Sequence, residues 1–417
     1  MSRKNTDKGV GSDKALFEGR YPAASPSALW DIFKHFVLLG CVSFGGPAAH
    51  LGYFQKLFVE RLNWLSLERY GQLVALSQFL PGPGSSQVGF ALGLQRAGLL
   101  GGLTAFVAFT LPSFGLMYVL ATQIFDTASS FMQVVAGLKL LAVVVVADAC
   151  MTMYRNFCQS RLTAALAIGS MVVLLCFGGI LMQLLVLAVA AVIGRFACHS
   201  AVLDSVNDQT AAMSGGGALF RGSAWFAFVV FWLALFGLPW ISDAVPGVAL
   251  FGDFYQAGSL VFGGGHVVLP LLQELLADQI STDSFLLGYS AAQAIPGPMF
   301  TLATFLGANL SPEANLTGAL IATAGIFVPG FLLVYALLPG WQSLSRKPGL
   351  AAASRGVNAA VVGLLLSALY QPVFVSAVHD PVHMACVAAG LFGLRLLQLP
   401  VLALVVLFVL AGAFGIV

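Results

Sequence analysis

The sequence predicts an all-α polytopic membrane protein of two inverted-topology repeats, each containing broken or re-entrant helical hairpins. Three observations predict it. The composition is too apolar for water, apolar segments of membrane-spanning length follow one another, and a set of Gly/Pro motifs occurs twice in one order.

Of the 417 residues, 59% are hydrophobic and 9% charged, whereas soluble domains carry about 25% charged residues. So few polar side chains cannot coat a water-facing globule, which makes lipid the main solvent. The net charge of +2, from 19 basic and 17 acidic residues, says little about partners. No nucleic-acid partner, no cofactor and no metal is expected. Cys41, Cys150, Cys158, Cys176, Cys198 and Cys386 lie mostly in apolar runs, without a C-x-x-C pair or a Cys/His cluster, and read as small core residues.

Residues 1–27 form a hydrophilic tail in which Arg3, Lys4, Lys8, Lys14 and Arg20 face Asp7, Asp13 and Glu18. No short apolar core with a cleavage site follows, so no signal peptide is read. Uninterrupted apolar stretches cover about 98–121, 131–153, 162–178, 180–198, 224–243, 314–339, 353–371, 382–396 and 398–416, each near the ~20 residues that span a bilayer. Four more, at about 28–62, 67–95, 248–276 and 284–309, are broken by Gly and Pro. Nine full spans plus four hairpins, or about thirteen spans, fit equally by hydropathy.

At an offset of roughly 215–219 residues the chain matches itself, the signature of a duplication. Val42-Ser43-Phe44-Gly45-Gly46-Pro47 answers to Leu260-Val261-Phe262-Gly263-Gly264-Gly265, and Gln78-Phe79-Leu80-Pro81-Gly82-Pro83 to Gln293-Ala294-Ile295-Pro296-Gly297-Pro298. Leu111-Pro112-Ser113 answers to Val328-Pro329-Gly330, and Gly137-Leu138-Lys139 to Gly356-Val357-Asn358. The first repeat is therefore placed at 28–198, a cytoplasmic linker containing Ser214-Gly215-Gly216-Gly217 at 199–223, a connecting helix at 224–243, and the second repeat at 244–417.

One unmatched span between equivalent points turns the second copy upside down, and charge bias supports that orientation. Lys56, Arg61 and Arg69 precede the first Pro-Gly-Pro, whereas the equivalent stretch holds Glu274, Asp278 and Asp283. Arg155 and Arg161 follow residue 153 while 372–381 has no Lys or Arg, and Arg346, Lys347 and Arg355 follow residue 339 while 122–130 has none. By the positive-inside rule, matching loops face opposite sides, the inverted-repeat design of many secondary transporters. If the broken segments enter and leave on one face, the basic residues collect on the cytoplasmic side with the N-terminus inside and the C-terminus outside. Crossing singly would move Lys56, Arg61 and Arg69 outside. Trp64, Trp225, Trp240 and Trp341 fall near span ends, where an aromatic belt explains them.

Pro-Gly-Pro ends one half-helix and starts another, because proline lacks an amide hydrogen and glycine leaves the backbone accessible. Free backbone polar groups at mid-depth persist only where they line a cavity or protein interior. The start of each second half-helix carries partial positive charge and aims amides outward, which suits an anion. Gly84, Ser85, Ser86 and Gln87 follow the first tip; Met299, Phe300 and Thr301 follow the second. Proline kinks, common in membrane helices, would account for one copy more readily than for two at equivalent places.

These motifs, Phe44-Gly45-Gly46-Pro47 and Gln78-x-x-Pro81-Gly82-Pro83 with their second copies Phe262-Gly263-Gly264-Gly265 and Gln293-x-x-Pro296-Gly297-Pro298, resemble the long-chain chromate ion transporter family of bacteria. The resemblance spans about residues 28–416 and implies export of chromate across the inner membrane, giving chromate resistance. The second copy has Gly265 where the first has Pro47, so the halves need not contribute equally.

The substrate-binding candidates are Lys139 with Gly45, Gly46, Pro81, Gly82, Pro83, Gly84, Ser85, Ser86, Gln87, Gly263, Gly264, Pro296, Gly297, Pro298, Thr301 and Asn358. Lys139 lies within an apolar span, where a central Lys costs about 2.5–3.5 kcal/mol on insertion scales; it either supplies charge to an anion or snorkels to an interface. His50, His266, Arg96 and Asp148 are candidate pathway or proton-linked residues, each with a plain structural alternative: a hydrogen-bonded histidine, a topology anchor, or a polar residue at the cytoplasmic end. Close helix contacts at Gly98 and Gly102 would serve internal packing or a homodimer.

No G-x-x-x-x-G-K-[ST] phosphate loop is present, which argues against ATP drive. A dianion leaving an inside-negative cell gains about 4.6 kcal/mol per 100 mV, twice the single-charge value; proton or counter-anion exchange stays open. Two other readings remain: a sulfate or other oxyanion transporter of the same geometry, and a membrane redox enzyme, for which clustered cysteines, paired histidines and a dinucleotide fingerprint are all missing.

Overall fold

The computed structural model describes residues 21–44, 46–122, 129–197, 223–241, 246–262, 267–276, 278–311, 313, 315–345 and 347–415, and their regular elements are all helical. Gly45, Gly263, Gly264 and His266 lie outside the described residues, as do residues 1–20 of the tail and nearly all of the 199–223 linker.

The first series runs α1 Pro26–Val42, α2 Gly46–Phe54 continuing as a π-helix over Gln55–Arg61, α3 Leu67–Phe79, α4 Gly84–Thr122, α5 Ser129–Phe157, α6 Arg161–Cys176 and α7 Ile180–Ala197. After α8 Ser223–Ile241 comes the second: α9 Pro246–Leu260, α10 Val268–Leu275, α11 Thr282–Ala294, α12 Leu302–Leu310, α13 Asn315–Leu337, α14 Pro348–Ala368, α15 Pro381–Arg395 and α16 Val401–Ala413. Local chemistry sets the starts. Ser25, Ser66, Ser160, Ser281 and Asp380 each accept a first-turn amide through the side chain, satisfying donors that helix geometry orphans. Ser66 and Ser281 cap the helices that precede the two Pro-Gly-Pro motifs.

The second series separates α12 from α13 at 311–314, and the first does the same within α4, whose backbone leaves the helical region at Ala97 (φ −150°) and Gly98 and folds back so that Gly93 lies against the Gly101 carbonyl, as Gly307 lies against that of Gly318. Gly98 permits this with φ +61°; a Cβ there would meet the Pro22 carbonyl oxygen at 2.9 Å. Hence the segment expected to end near residue 95 and the span expected from 98 are two helical parts that meet at Ala97 and Gly98. Among the described residues, five helical stretches are long and apolar enough to cross a membrane: Gly84–Thr122, Gln133–Phe157, Ser223–Ile241, Asn315–Gly340 and Pro348–Ala377. Four other expected spans appear as the shorter helices Arg161–Cys176, Leu181–Ala197, Pro381–Arg395 and Val401–Ala413. Gly178-Gly179 and the Gln398-Leu399-Pro400 turn separate them where the breaks were expected, with Gly179 and Gln398 at positive φ.

The two series interleave. Helix α5 packs against α15 and α16, while α14 packs against α6 and α7. Gly137 lies against the Phe408 main chain, and Gly356 lies against that of Ala190. Lipid tails are as apolar as leucine, so such helices are held by close packing rather than by transfer out of water, and small residues at the contact allow it. Aromatic rings join the series beside the tips: Phe90 stacks on Phe331 at 4.6 Å, and Phe106 meets Phe327 at 5.0 Å. Outward faces are apolar instead. Trp240, Leu181 and Phe196 are 88%, 79% and 76% exposed, which only a lipid surround makes tolerable. Trp341, expected in an interfacial belt, is buried against Phe79, because the 3-10 turn Leu338–Gly340 folds it inward. Cysteines 41, 150, 158, 176 and 386 are free thiols, and Cys198 lies outside the described residues.

Candidate functional site

Both Pro-Gly-Pro motifs interrupt helices as the residue chemistry demands. Leu80 and Ile295 are extended C-caps, and Gly82 and Gly297 take φ +119° and +108°, conformations that L side chains avoid. Each tip then crosses to the other series. The Gly82 amide donates to the Val261 carbonyl at 2.7 Å, and the Gly297 amide donates to the Ser43 carbonyl at 2.9 Å. In the motif register Gly82 answers to Gly297 and Ser43 to Val261, so the two hydrogen bonds are one contact made twice.

The side chains around the two crossings differ. At the first, where Gly297 meets Ser43, an ideal Cβ on Gly297 would lie 2.8 Å from the Ser113 hydroxyl. Ser113 bonds back to the Thr110 carbonyl at 3.0 Å. His50 is 1% exposed, its Nδ1 is 3.3 Å from the Ser85 hydroxyl, and its ring stands edge-on to Phe109 at 5.4 Å. At the second crossing the corresponding positions are Val261 for Ser43, Val268 for His50, Phe300 for Ser85, Phe327 for Thr110 and Gly330 for Ser113. Among the described residues Gln87 brings polarity there, its amide donating to Pro81 O at 2.7 Å and Gly330 O at 3.4 Å.

Unpartnered polar atoms lie near both crossings. Ser43 Oγ, His50 Nε2, Ser86 Oγ, Gln87 Oε1 and Thr110 Oγ1 are buried without a hydrogen-bond partner. Each such group costs about 1–3 kcal/mol, so a cluster of them marks a place where something polar is accommodated. Ser85 and Ser86 stand in the first turn of α4, where main-chain amides lack intrahelical acceptors. Among the described residues no Lys, Arg, Asp or Glu is fully buried. An anion here would be held by neutral donors and helix ends. Thr301 at the second tip is satisfied within its own turn, donating to Pro298 O at 2.8 Å.

The charged candidates lie elsewhere. Lys139 pairs with Asp283 at 2.5 Å, near the start of α11; about 17 Å of helix axis then separates Asp283 from the end of α11 beside the tip. The adjacent Leu138 carbonyl accepts from Ser290 Oγ at 2.8 Å. Asn358, the counterpart of Lys139, is half-buried on α14. Asp148 binds Arg395, whose Nε donates to Oδ1 at 2.5 Å. Arg96 is exposed, sits over the Trp64 ring at 5.2 Å and approaches Asp31 to 3.8 Å.

Sequence reading missed Ser43, Thr110 and Ser113, since a lone hydroxyl in an apolar helix has no periodic signature. The signal was the repeat register itself, which pairs each of them with a non-polar residue.

Comparison with known proteins agrees with the motif resemblance. The family described as "Chromate transporter" matches residues 30–195 and 248–416, one stretch in each series. A chromate transport protein of Pseudomonas aeruginosa is 27% identical over 358 residues, 82% of this chain and 80% of that protein. An uncharacterized transporter of Methanocaldococcus jannaschii is 26% identical over 351 residues, covering 82% and 84%. A chromate transport protein of Cupriavidus metallidurans is 25% identical over 357 residues, covering 84% of each. No solved structure matches the chain.

Proposed function

Since the chain belongs to the chromate transporter family, we propose that it is a secondary transporter carrying chromate out of the cytoplasm across a bacterial inner membrane, and so conferring resistance. The single observation that carries the site is the set of unpartnered buried polar atoms, from Ser43, His50 and Thr110, beside the crossing of Gly297 over Ser43. Chromate, a tetrahedral dianion, accepts hydrogen bonds from hydroxyls, an imidazole N–H and the free amides that open α4. Neutral donors bind the dianion without trapping it as a fixed cation would. The same donors would hold sulfate.

The charge distribution supports a cytoplasmic N-terminus and a periplasmic C-terminus, with the Asp31–Arg96 and Asp148–Arg395 pairs toward the cytoplasm and the Lys139–Asp283 pair toward the periplasm. Lys139, on this reading, sets potential and helix position at the periplasmic end while the tips bind the anion. The interleaved series rock about the two reciprocal amide bonds, exposing the first crossing to one side and then the other. An inside-negative potential drives the dianion outward at about 4.6 kcal/mol per 100 mV.

The test is chromate flux in proteoliposomes under an imposed potential, with and without excess sulfate, while chromium's oxidation state is followed. Potential-dependent movement of unreduced chromate is the expected result. Loss of flux to equimolar sulfate would reassign the substrate to sulfate, and reduction of the metal would reassign the chain to redox chemistry.

A further inference from the structure

A second polar site lies away from the tips. A cavity of about 380 Å³ is bounded by the ends of α6 and α14, the start of α7, and α10. Its polar lining comes from Gln183, Gln273, Glu274, Ser367 and Gln371. Gln183 is 7% exposed, and the side-chain oxygens of Gln183 and Gln273 have no hydrogen-bond partner. Carboxamide oxygens, a hydroxyl and one carboxylate form a hard, acceptor-rich set. The carboxylate makes an anion an unfavourable occupant, and divalent ions usually gather more carboxylates than one.

The other half of the molecule shows what belongs in this place. In the register that aligns Gly137 with Gly356, Asp148 falls opposite Ser367 and Thr152 opposite Gln371. Aligning the helix caps Ser160 and Asp380 puts Arg395 opposite Leu175, which also lines the cavity. At that matching position the Arg395 guanidinium is seated between the two partners: its Nη2 donates to Thr152 Oγ1 at 2.8 Å and to Asp148 O at 2.9 Å, and its Nε to the Asp148 carboxylate. One half of the protein thus carries its own tethered cation where the other half has an oxygen-lined cavity.

We propose that this cavity binds a monovalent alkali cation, sodium, as the untethered counterpart of the Arg395 guanidinium. Its volume admits the ion with part of its hydration shell, and Glu274 supplies the balancing charge. The cavity joins α6 and α7 of the first series to α10 and α14 of the second. Helix α10 follows directly in sequence on the second Phe-Gly-Gly-Gly motif, so the ion holds the helix that leads from that motif, and occupancy is coupled to the arrangement of the tips.

The test reads binding, independently of transport, as thermal unfolding of the purified full-length chain over a sodium chloride series, with choline chloride holding ionic strength constant. Sodium is expected to raise the midpoint saturably. Glu274→Gln, at an exposed side chain, is expected to raise the half-saturating sodium concentration at least about ten-fold, the loss of one charged ligand. Leu175→Arg, which supplies the tethered guanidinium of the other half, is expected to abolish the sodium response. An equal rise in choline, or a sodium response unchanged in Glu274→Gln, overturns the proposal. A chromate assay that fails while the sodium response stands counts against the tip site and leaves this one.

Discussion

The two tip crossings share a backbone and differ in everything attached to it. Gly82 over Val261 and Gly297 over Ser43 make the same hydrogen bond at 2.7 and 2.9 Å, yet among the described residues hydroxyls and a histidine surround the second-named contact while valines, phenylalanines and the Gln87 amide surround the other. Duplication preserved what the fold needs, a crossing that satisfies a tip amide in a low-dielectric interior. Side-chain chemistry then diverged, leaving one crossing lined by hydroxyls and a histidine where the other has valines and phenylalanines. Away from the tips the copies differ in a parallel way, with Arg395 seated on Asp148 in one half and unpartnered oxygens lining a cavity in the other.

The comparison can be broken most sharply at its glycines. An alanine Cβ at Gly297 would approach Ser113 Oγ at 2.8 Å and Ser113 Cβ at 3.1 Å, while at Gly82 the nearest atom, at 2.9 Å, is the end of the Gln87 side chain, with Gly330 Cα at 3.1 Å. Both substitutions meet left-handed strain of about 1–2 kcal/mol. Gly297→Ala additionally intrudes on the proposed site, so its potential-driven chromate flux should fall about 100-fold against about 10-fold for Gly82→Ala. Equal losses would mean that the tips serve only as turns.

His50 offers the next effect. Replacing it with leucine removes a buried donor worth about 1.5–3 kcal/mol toward a charged ligand, so half-saturation for chromate should rise about 10-fold or more. Val268→Ala, at the matching position, should leave it within about two-fold, because it removes no hydrogen-bond donor. A smaller change is expected at Lys139. Its partner Asp283 is 47% exposed at the side chain, and such pairs contribute about 0–1 kcal/mol, so Lys139→Met should alter chromate affinity by less than about five-fold. A loss of 100-fold would return Lys139 to the binding site. The smallest effect belongs to Arg96, 48% exposed beside Asp31: Arg96→Gln should slow chromate entry from the cytoplasmic side only at low ionic strength, and the difference should vanish in salt as screening grows.

The helical membrane class and the motif pairs were legible in the sequence because composition and Gly/Pro chemistry act locally. So were the bounds of the shorter helices, whose expected breaks at 178–180 and 396–398 fall at Gly178-Gly179 and at the turn before Pro400. Ser85, Ser86 and Gln87 stood out by adjacency to Pro81-Gly82-Pro83, whereas Ser43, Thr110 and Ser113 acquire meaning only when folding brings the second tip onto the first series. Lys139 attracted attention as a cation in an apolar span, but its partner Asp283 belongs to the other repeat and nothing in local spacing links them. The lesson is positional: in a duplicated chain, the informative residues are those where the copies disagree.

The most direct test of a one-sided anion site is equilibrium chromate binding to purified protein carrying Ser43→Ala with Thr110→Val, set beside Val261→Ala with Phe327→Leu at the matching crossing. The account predicts at least about a 100-fold weaker Kd in the first pair, the loss of two donors to a charged ligand, and a change within about three-fold in the second. Equal weakening in both, or none in the first, would contradict it.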